Sequence, residues 1–242
     1  MRNHRTLGVL GGMGPAATAD FIAKLVQATP ALCDQDHIPF VVVNDPTVPD
    51  RTHAYFEDRE GDVFTALKRS LRRLEAAGVD AIAMPCNSAH HWADPLQSCT
   101  PLPLLHIADA SLAEARRRRR DARRIAVMAT PITIASGFYR RRLHTAGMEH
   151  MQPSQSLLQD GILSGIRHVK AGDIEAGARC LNAAADQLFA QGADAIVLAC
   201  TEIPIALAQR LKTDDRLIDT TEALAKHSAE WLWQAATHNT SC

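Results

Sequence analysis

The sequence predicts an α/β protein of two pseudo-symmetric halves, each a mainly parallel sheet flanked by helices. Three observations carry that expectation. A stretch occurs twice: Gly78-Val-Asp-Ala-Ile-Ala-Met-Pro-Cys86 and Gly192-Ala-Asp-Ala-Ile-Val-Leu-Ala-Cys200 share glycine, aspartate, alanine, isoleucine and cysteine at matching positions. The segment upstream repeats as well, with Leu67 and Leu74 matched by Leu181 and Leu188, as a duplicated half-domain requires. Each copy also reads as a helix C-cap glycine followed by a short continuous apolar run, the pattern of a parallel strand buried on both faces. The cysteine then falls at the strand's carboxyl end, ahead of a new helix, where open α/β sheets hold their ligands.

The bulk numbers agree with a globular protein and exclude several classes. The chain has 242 residues, enough for one large or two small α/β domains, with 46% hydrophobic and 22% charged residues. A formal net charge of -1 gives no global reason to expect nucleic acid or membrane as a partner. No apolar run approaches the roughly 20 residues that span a bilayer, and Met1-Arg-Asn-His-Arg-Thr leads straight into a strand-like segment, so a cytoplasmic location is expected. Six cysteines without a CxxC pair make neither a disulfide scaffold nor a zinc site. Cys33, Cys99, Cys180 and Cys242 stand in no motif and read as structural or incidental.

Taken in order, Thr6-Leu-Gly-Val-Leu-Gly11 is a buried strand, and Gly12-Met-Gly-Pro15 turns it into an amphipathic helix over about 16–28. The glycine spacing matches neither G-x-G-x-x-G nor the P-loop, so it reads as a tight turn bringing backbone close to a small ligand. The strand Pro39-Phe-Val-Val-Val-Asn44 precedes a loop, 45–53, that two prolines hold extended and that carries Arg51. A helix over 62–77 leads to the first cysteine strand, and Asn87 or Ser88 caps the helix after it.

Leu104-Leu105 is a short strand, and the helix from about Asp109 runs into seven arginines within 116–124. That run reads as a solvated helix C-terminus, where cations are favoured, in preference to a nucleic-acid patch. The domain boundary is placed near 108, giving 1–107 with 216–242 as the first domain and 108–215 as the second. Ile125-Ala-Val-Met-Ala129 is the counterpart of the first strand, Thr130-Pro-Ile-Thr133 turns into a helix through Tyr139 and His144, and a short strand follows over 148–151. A helix over 154–168 is expected to leave Lys170 on a loop before a helix from about Asp173. After Glu202-Ile-Pro204 come a short helix to Arg210, a strand at Leu217-Ile218 and a final helix over about 221–233.

Leu10-Gly-Gly-Met-Gly-Pro15, Pro85-Cys-Asn-Ser-Ala-His90 and Ala199-Cys-Thr-Glu202, in that order and at these separations, resemble the aspartate/glutamate racemase family, and within it the aspartate racemase branch. The resemblance implies a cofactor-independent amino-acid racemase of two flavodoxin-like domains, with the active site between them and a homodimer as the usual assembly. It implies Cys86 and Cys200 as the acid–base pair and Arg51 and Lys170 as contacts to substrate carboxylates. It further implies Asn87, Ser88, Thr201 and Met13 around the amino acid's own carboxylate and amine. Glutamate racemases carry a histidine after the second Cys-Thr pair and an Asp-Ser-Gly near the start, where this chain has Glu202 and Gly11-Gly-Met-Gly.

The residue types suit that chemistry independently. Inverting an α-carbon needs a base on one face and an acid on the other, which two cysteines supply when one is thiolate and the other thiol. Their titrations are coupled, and nearby helix ends and cations are expected to lower them. Arg51 and Lys170 favour a diacid substrate such as aspartate, with glutamate or another amino acid remaining open. Rival readings are a hydantoin racemase, a maleate isomerase or an arylmalonate decarboxylase, the last working with one cysteine. From another class, a two-lobed amino-acid-binding protein without turnover would keep the same fold. No metal is expected.

Overall fold

A computed structural model of the chain describes residues 5–237. Residues 1–4 and Cys242 therefore lie outside the described residues. In chain order these residues form β1 (Leu7–Gly11), α1 (Pro15–Ala28), a 3-10 turn (Asp34–Asp36), β2 (Phe40–Asn44), α2 (Arg51–Phe56), α3 (Glu60–Ala76) and β3 (Ala81–Ala83). A 3-10 segment (Ser88–Trp92), α4 (Ala93–Gln97), β4 (Leu104–Leu105), α5 (Ile107–Arg118), β5 (Arg124–Ala129), α6 (Pro131–Ala135), α7 (Phe138–Thr145) and β6 (Glu149–Met151) follow. The rest is a π-helical segment (Leu157–Leu163), α8 (Ser164–Lys170), α9 (Ile174–Ala190), β7 (Ala195–Ala199), α10 (Glu202–Ala206), α11 (Ala208–Leu211), β8 (Leu217–Asp219) and α12 (Thr220–Thr237). The strands make two four-stranded parallel sheets of matching order, β2-β1-β3-β4 and β6-β5-β7-β8.

The duplication explains why the orders match. In the first unit β1 runs between β2 and β3, with Leu7 opposite Phe40 on one side and Ala81 on the other. In the second, β5 is flanked by β6 and β7, with Ile125 opposite His150 and Ala195. The repeated leucines do equivalent work: Leu67 and Leu74 on α3, and Leu181 and Leu188 on α9, are all fully buried. So do the repeated glycines, since Gly78 (φ 72°) and Gly192 (φ 94°) both take the left-handed conformation that ends a helix.

The first core gathers Leu7, Val9, Phe21, Leu25, Leu105, Leu224 and Leu232, so α12 folds against the first sheet although it follows the last strand of the second. The second core is built from Met128, Leu158, Ile162, Leu181, Leu188, Ile196 and Leu198. Described residues up to Ala110, together with those from Thr221, form one compact unit, and Ser111–Thr220 forms the other. The divisions thus fall slightly later than the 107/108 and 215/216 placed from sequence. The second differs for a clear reason: Leu217 pairs with Ile196, so β8 belongs to the second sheet.

Four local expectations change. The stretch around Arg51 is not an extended loop; Asp50 caps a helix by accepting the His53 amide at 2.9 Å, and Arg51 is the first residue of α2. Lys170 is the last residue of α8 rather than part of a loop, because the left-handed glycine is Gly172, two residues further on. The single helix expected through Tyr139 and His144 is broken in two at Gly137, whose φ is 67°. The arginine run begins in the last turn of α5, as expected, but it is not simply solvated. Arg117 and Arg118 both hold the buried Glu114, at 2.7 and 2.6 Å. No helix of the described residues is long and apolar enough to cross a membrane.

Candidate active site

Parallel strands all present their carboxyl ends on one edge of a sheet, so the segments that follow β1, β2 and β3 gather there. They carry Met13, Arg51 and Cys86. After β1, Gly12 takes φ 100°, and a Cβ placed there would lie 2.4 Å from the backbone of Asp45, so only glycine lets the first loop approach the loop after β2. The Thr18 hydroxyl accepts the Gly12 amide at 2.9 Å and fixes this turn. Asp45 in turn pins the second loop: it accepts Thr47 through both hydroxyl and amide and is held by Arg69 at 2.9 Å. These contacts, Thr47 foremost, pull its carboxyl down to about 2. Arg51 donates to the carbonyls of Pro49 at 3.1 Å and of Met13 at 3.5 Å. The structure therefore brings Met13 and Arg51 together as neighbours.

Cys86 lies just beyond β3, 4% exposed, with its Sγ 3.4 Å from the Ser88 hydroxyl. Asn87, also buried, stands as the N-cap residue of the Ser88–Trp92 segment. His90, the last residue of the motif, sets its Nε2 3.0 Å from the Met84 carbonyl and lies beside the His106 ring.

In the second unit Cys200 follows β7 directly and is 7% exposed. Its thiol donates to Glu202 Oε2 at 3.0 Å, and the Thr201 hydroxyl donates to the same oxygen at 3.3 Å. Lys170, from the end of α8, holds the other carboxylate oxygen, Nζ to Oε1, at 3.8 Å. Burial first, then the Glu202 charge, push the Cys200 thiol well above its ordinary value, while Lys170 pulls weakly the other way. The expectation that both thiols are lowered by helix ends and cations is thus corrected for Cys200, because its nearest charge is a carboxylate. Cys200, Thr201 and Lys170 thus all contact Glu202, which sits at the centre of the cluster.

The sequence matches the model of the Asp/Glu/Hydantoin racemase family over residues 10–228. The chain belongs to this family. Among curated proteins it is similar to the broad specificity amino-acid racemase RacX of Bacillus subtilis (strain 168), 28% identical over 226 residues that cover 91% of this chain and 95% of the relative. Among solved structures it is similar to the Picrophilus torridus aspartate racemase, with a TM-score of 0.80, 31% identity and coverage of 96% of this chain and 94% of that one. The Francisella tularensis glutamate racemase, solved in complex with D-glutamate, shares the fold at a TM-score of 0.71 and 18% identity, covering 99% of this chain and 85% of that one.

Glu202 is the residue of the Cys200 cluster that the motifs alone do not single out. A signal was present: a carboxylate two residues after a cysteine that opens a helix can reach back to the thiol. The remaining described cysteines, Cys33, Cys99 and Cys180, are free thiols outside both clusters.

Proposed function

We propose that this racemase interconverts the L and D forms of an amino acid, aspartate foremost, by two-base proton transfer between Cys86 and Cys200. The observation that carries the proposal is the duplicated strand-end cysteine: two buried thiols at equivalent positions of two equivalent sheets, each with a hydroxyl-bearing neighbour, Ser88 or Thr201. Proton removal on one face and delivery on the other needs two acid–base groups that exchange roles when the reaction runs backward, and two thiols meet that need. The environment of Cys200 keeps its proton in place, which suits it to deliver one in the direction in which Cys86 removes one, and the roles reverse in the other direction.

Arg51 and Lys170 are proposed to meet substrate carboxylates, and Asn87, Ser88, Thr201 and Met13 to line the amino acid. A cation beside the α-carboxylate offsets the charge that gathers there as the carbon loses its proton. No cofactor is called for, since the two thiols supply both proton transfers. The likeness to the Picrophilus torridus aspartate racemase supports aspartate, and the likeness to the Bacillus subtilis enzyme supports a wider range. A homodimer is proposed on the family resemblance, to be read by light scattering. The function itself is tested by following optical rotation of L-aspartate and of a panel of other enantiopure amino acids. Loss of rotation to zero supports racemisation, and constant rotation across the panel contradicts it.

A further inference from the structure

We infer that Glu202 is a positioning residue that fixes Cys200 as the proton-delivering thiol and hands that control to Lys170. The inference rests on the two-thiol reading of the site. Its geometry is specific: one carboxylate oxygen accepts from the Cys200 thiol at 3.0 Å and from the Thr201 hydroxyl at 3.3 Å, while the other faces Lys170 Nζ at 3.8 Å. A thiol aimed at a carboxylate has its proton directed along the S–O line. A thiolate at the same place would set two negative charges about 3 Å apart in a water-poor site. Cys200 therefore gives up its proton only when the Glu202 charge is offset.

The group placed to offset it is Lys170. The charged groups acting on Cys200 are Glu202 from α10 and Lys170 from α8. The Lys170 side chain is half exposed, on the last residue of its helix, so its approach to Glu202 is adjustable, whereas Glu202 is mostly enclosed. Close approach of Lys170 weakens the hold of Glu202 on the proton and lets Cys200 act as base. Withdrawal of Lys170, for instance toward a substrate carboxylate, restores the thiol. The same lysine thereby links substrate charge to the protonation of Cys200.

The test compares full-length wild type with Glu202→Gln, Glu202→Asp and Lys170→Met. The first readout is independent of turnover: the rate of Cys200 alkylation by iodoacetamide across pH, measured on the Cys200 peptide by mass spectrometry. Removing the carboxylate should speed alkylation near pH 8 by roughly tenfold, the scale of one charge-assisted hydrogen bond. Glu202→Asp should lie between Glu202→Gln and wild type, and Lys170→Met should slow alkylation several-fold. The second readout is the pH profile of kcat/KM for racemisation, whose alkaline limb should move to lower pH in Glu202→Gln. If Glu202→Gln does not fold, by circular dichroism, the Lys170→Met result decides. Alkylation rates within twofold of wild type in every folded variant would overturn the inference. Absence of racemisation by wild type over the amino-acid panel would instead sink the racemase reading, and the alkylation series separates the two failures.

Discussion

The Asp194 carboxylate accepts the backbone amide of Arg124 at 2.8 Å, and the same oxygen also takes the Arg123 amide at 2.7 Å. Asp80, its counterpart in the repeat, accepts the Thr6 amide at 2.7 Å. In both units the aspartate before the cysteine strand ties that strand to the start of its central neighbour, and so sets the register on which the position of the cysteine depends. The amide of each aspartate completes the pair, donating to the Thr6 carbonyl or to the Arg124 carbonyl, each at 2.8 Å.

Asp194→Ala should accordingly cost about 2 kcal/mol, the net worth of two charge-assisted hydrogen bonds discounted for partial exposure. The Asp194 carboxyl is lowered, chiefly by the Arg124 and Arg123 amides. A lowered carboxyl stabilises the fold above its unfolded value, and that contribution disappears as pH falls through the folded value. Thermal melts of wild type and variant should therefore differ at pH 7 and converge in acid.

Gly12→Ala is expected to be far more damaging than Gly78→Ala. Both residues have positive φ, but a Cβ at Gly12 meets the Asp45 backbone at 2.4 Å, whereas one at Gly78 meets nothing within 4 Å. The Gly78 change should cost about 1 kcal/mol of backbone strain, and the Gly12 change at least about 3 kcal/mol, because backbone must move to admit it. Urea unfolding of the two variants gives the comparison, and similar midpoints would contradict it.

Asp45→Asn should release the loop that leads into α2 and Arg51. The Asp45 carboxyl is lowered to about 2 by Thr47 and Arg69. Its contribution, on the order of 1–2 kcal/mol, is present above about pH 4 and vanishes as pH falls through about 2. Wild type should thus lose its stability advantage over Asp45→Asn only in strong acid, in melts taken from pH 7 down to pH 2.

Arg51→Lys should weaken a diacid more than a neutral amino acid. Arg51 directs its guanidinium at the Pro49 and Met13 carbonyls, a planar arrangement that an ammonium does not reproduce. If Arg51 meets the side-chain carboxylate of a diacid as proposed, steady-state kinetics with aspartate and with alanine should show KM rising about tenfold or more for aspartate only.

Much of this was legible in the chain because buried parallel strands announce themselves as apolar runs with glycine at one end and, here, cysteine at the other. The two sheets and their equivalence follow from that pattern, whereas Lys170, two helices away from Cys200 in the chain, was singled out only by the family resemblance. The placement of Arg51 on a helix did not, since two prolines outweighed the capping signal of Asp50. The π-helical turn at Leu157–Leu163 was equally hidden, because its apolar spacing differs little from that of an α-helix. The contact of Glu202 with Cys200 was not legible either: whether a carboxylate two residues beyond a thiol turns back to it or faces solvent depends on how α10 starts.

The central claim, that two thiols share one proton transfer, is tested most directly by proton NMR of L- and D-aspartate in deuterated water with Cys86→Ala and Cys200→Ala. Each variant should fail to racemise, since every turnover needs both thiols. Each should still exchange the α-hydrogen for deuterium in one enantiomer only, the two variants choosing opposite enantiomers. Near-normal racemisation by both variants would contradict the account.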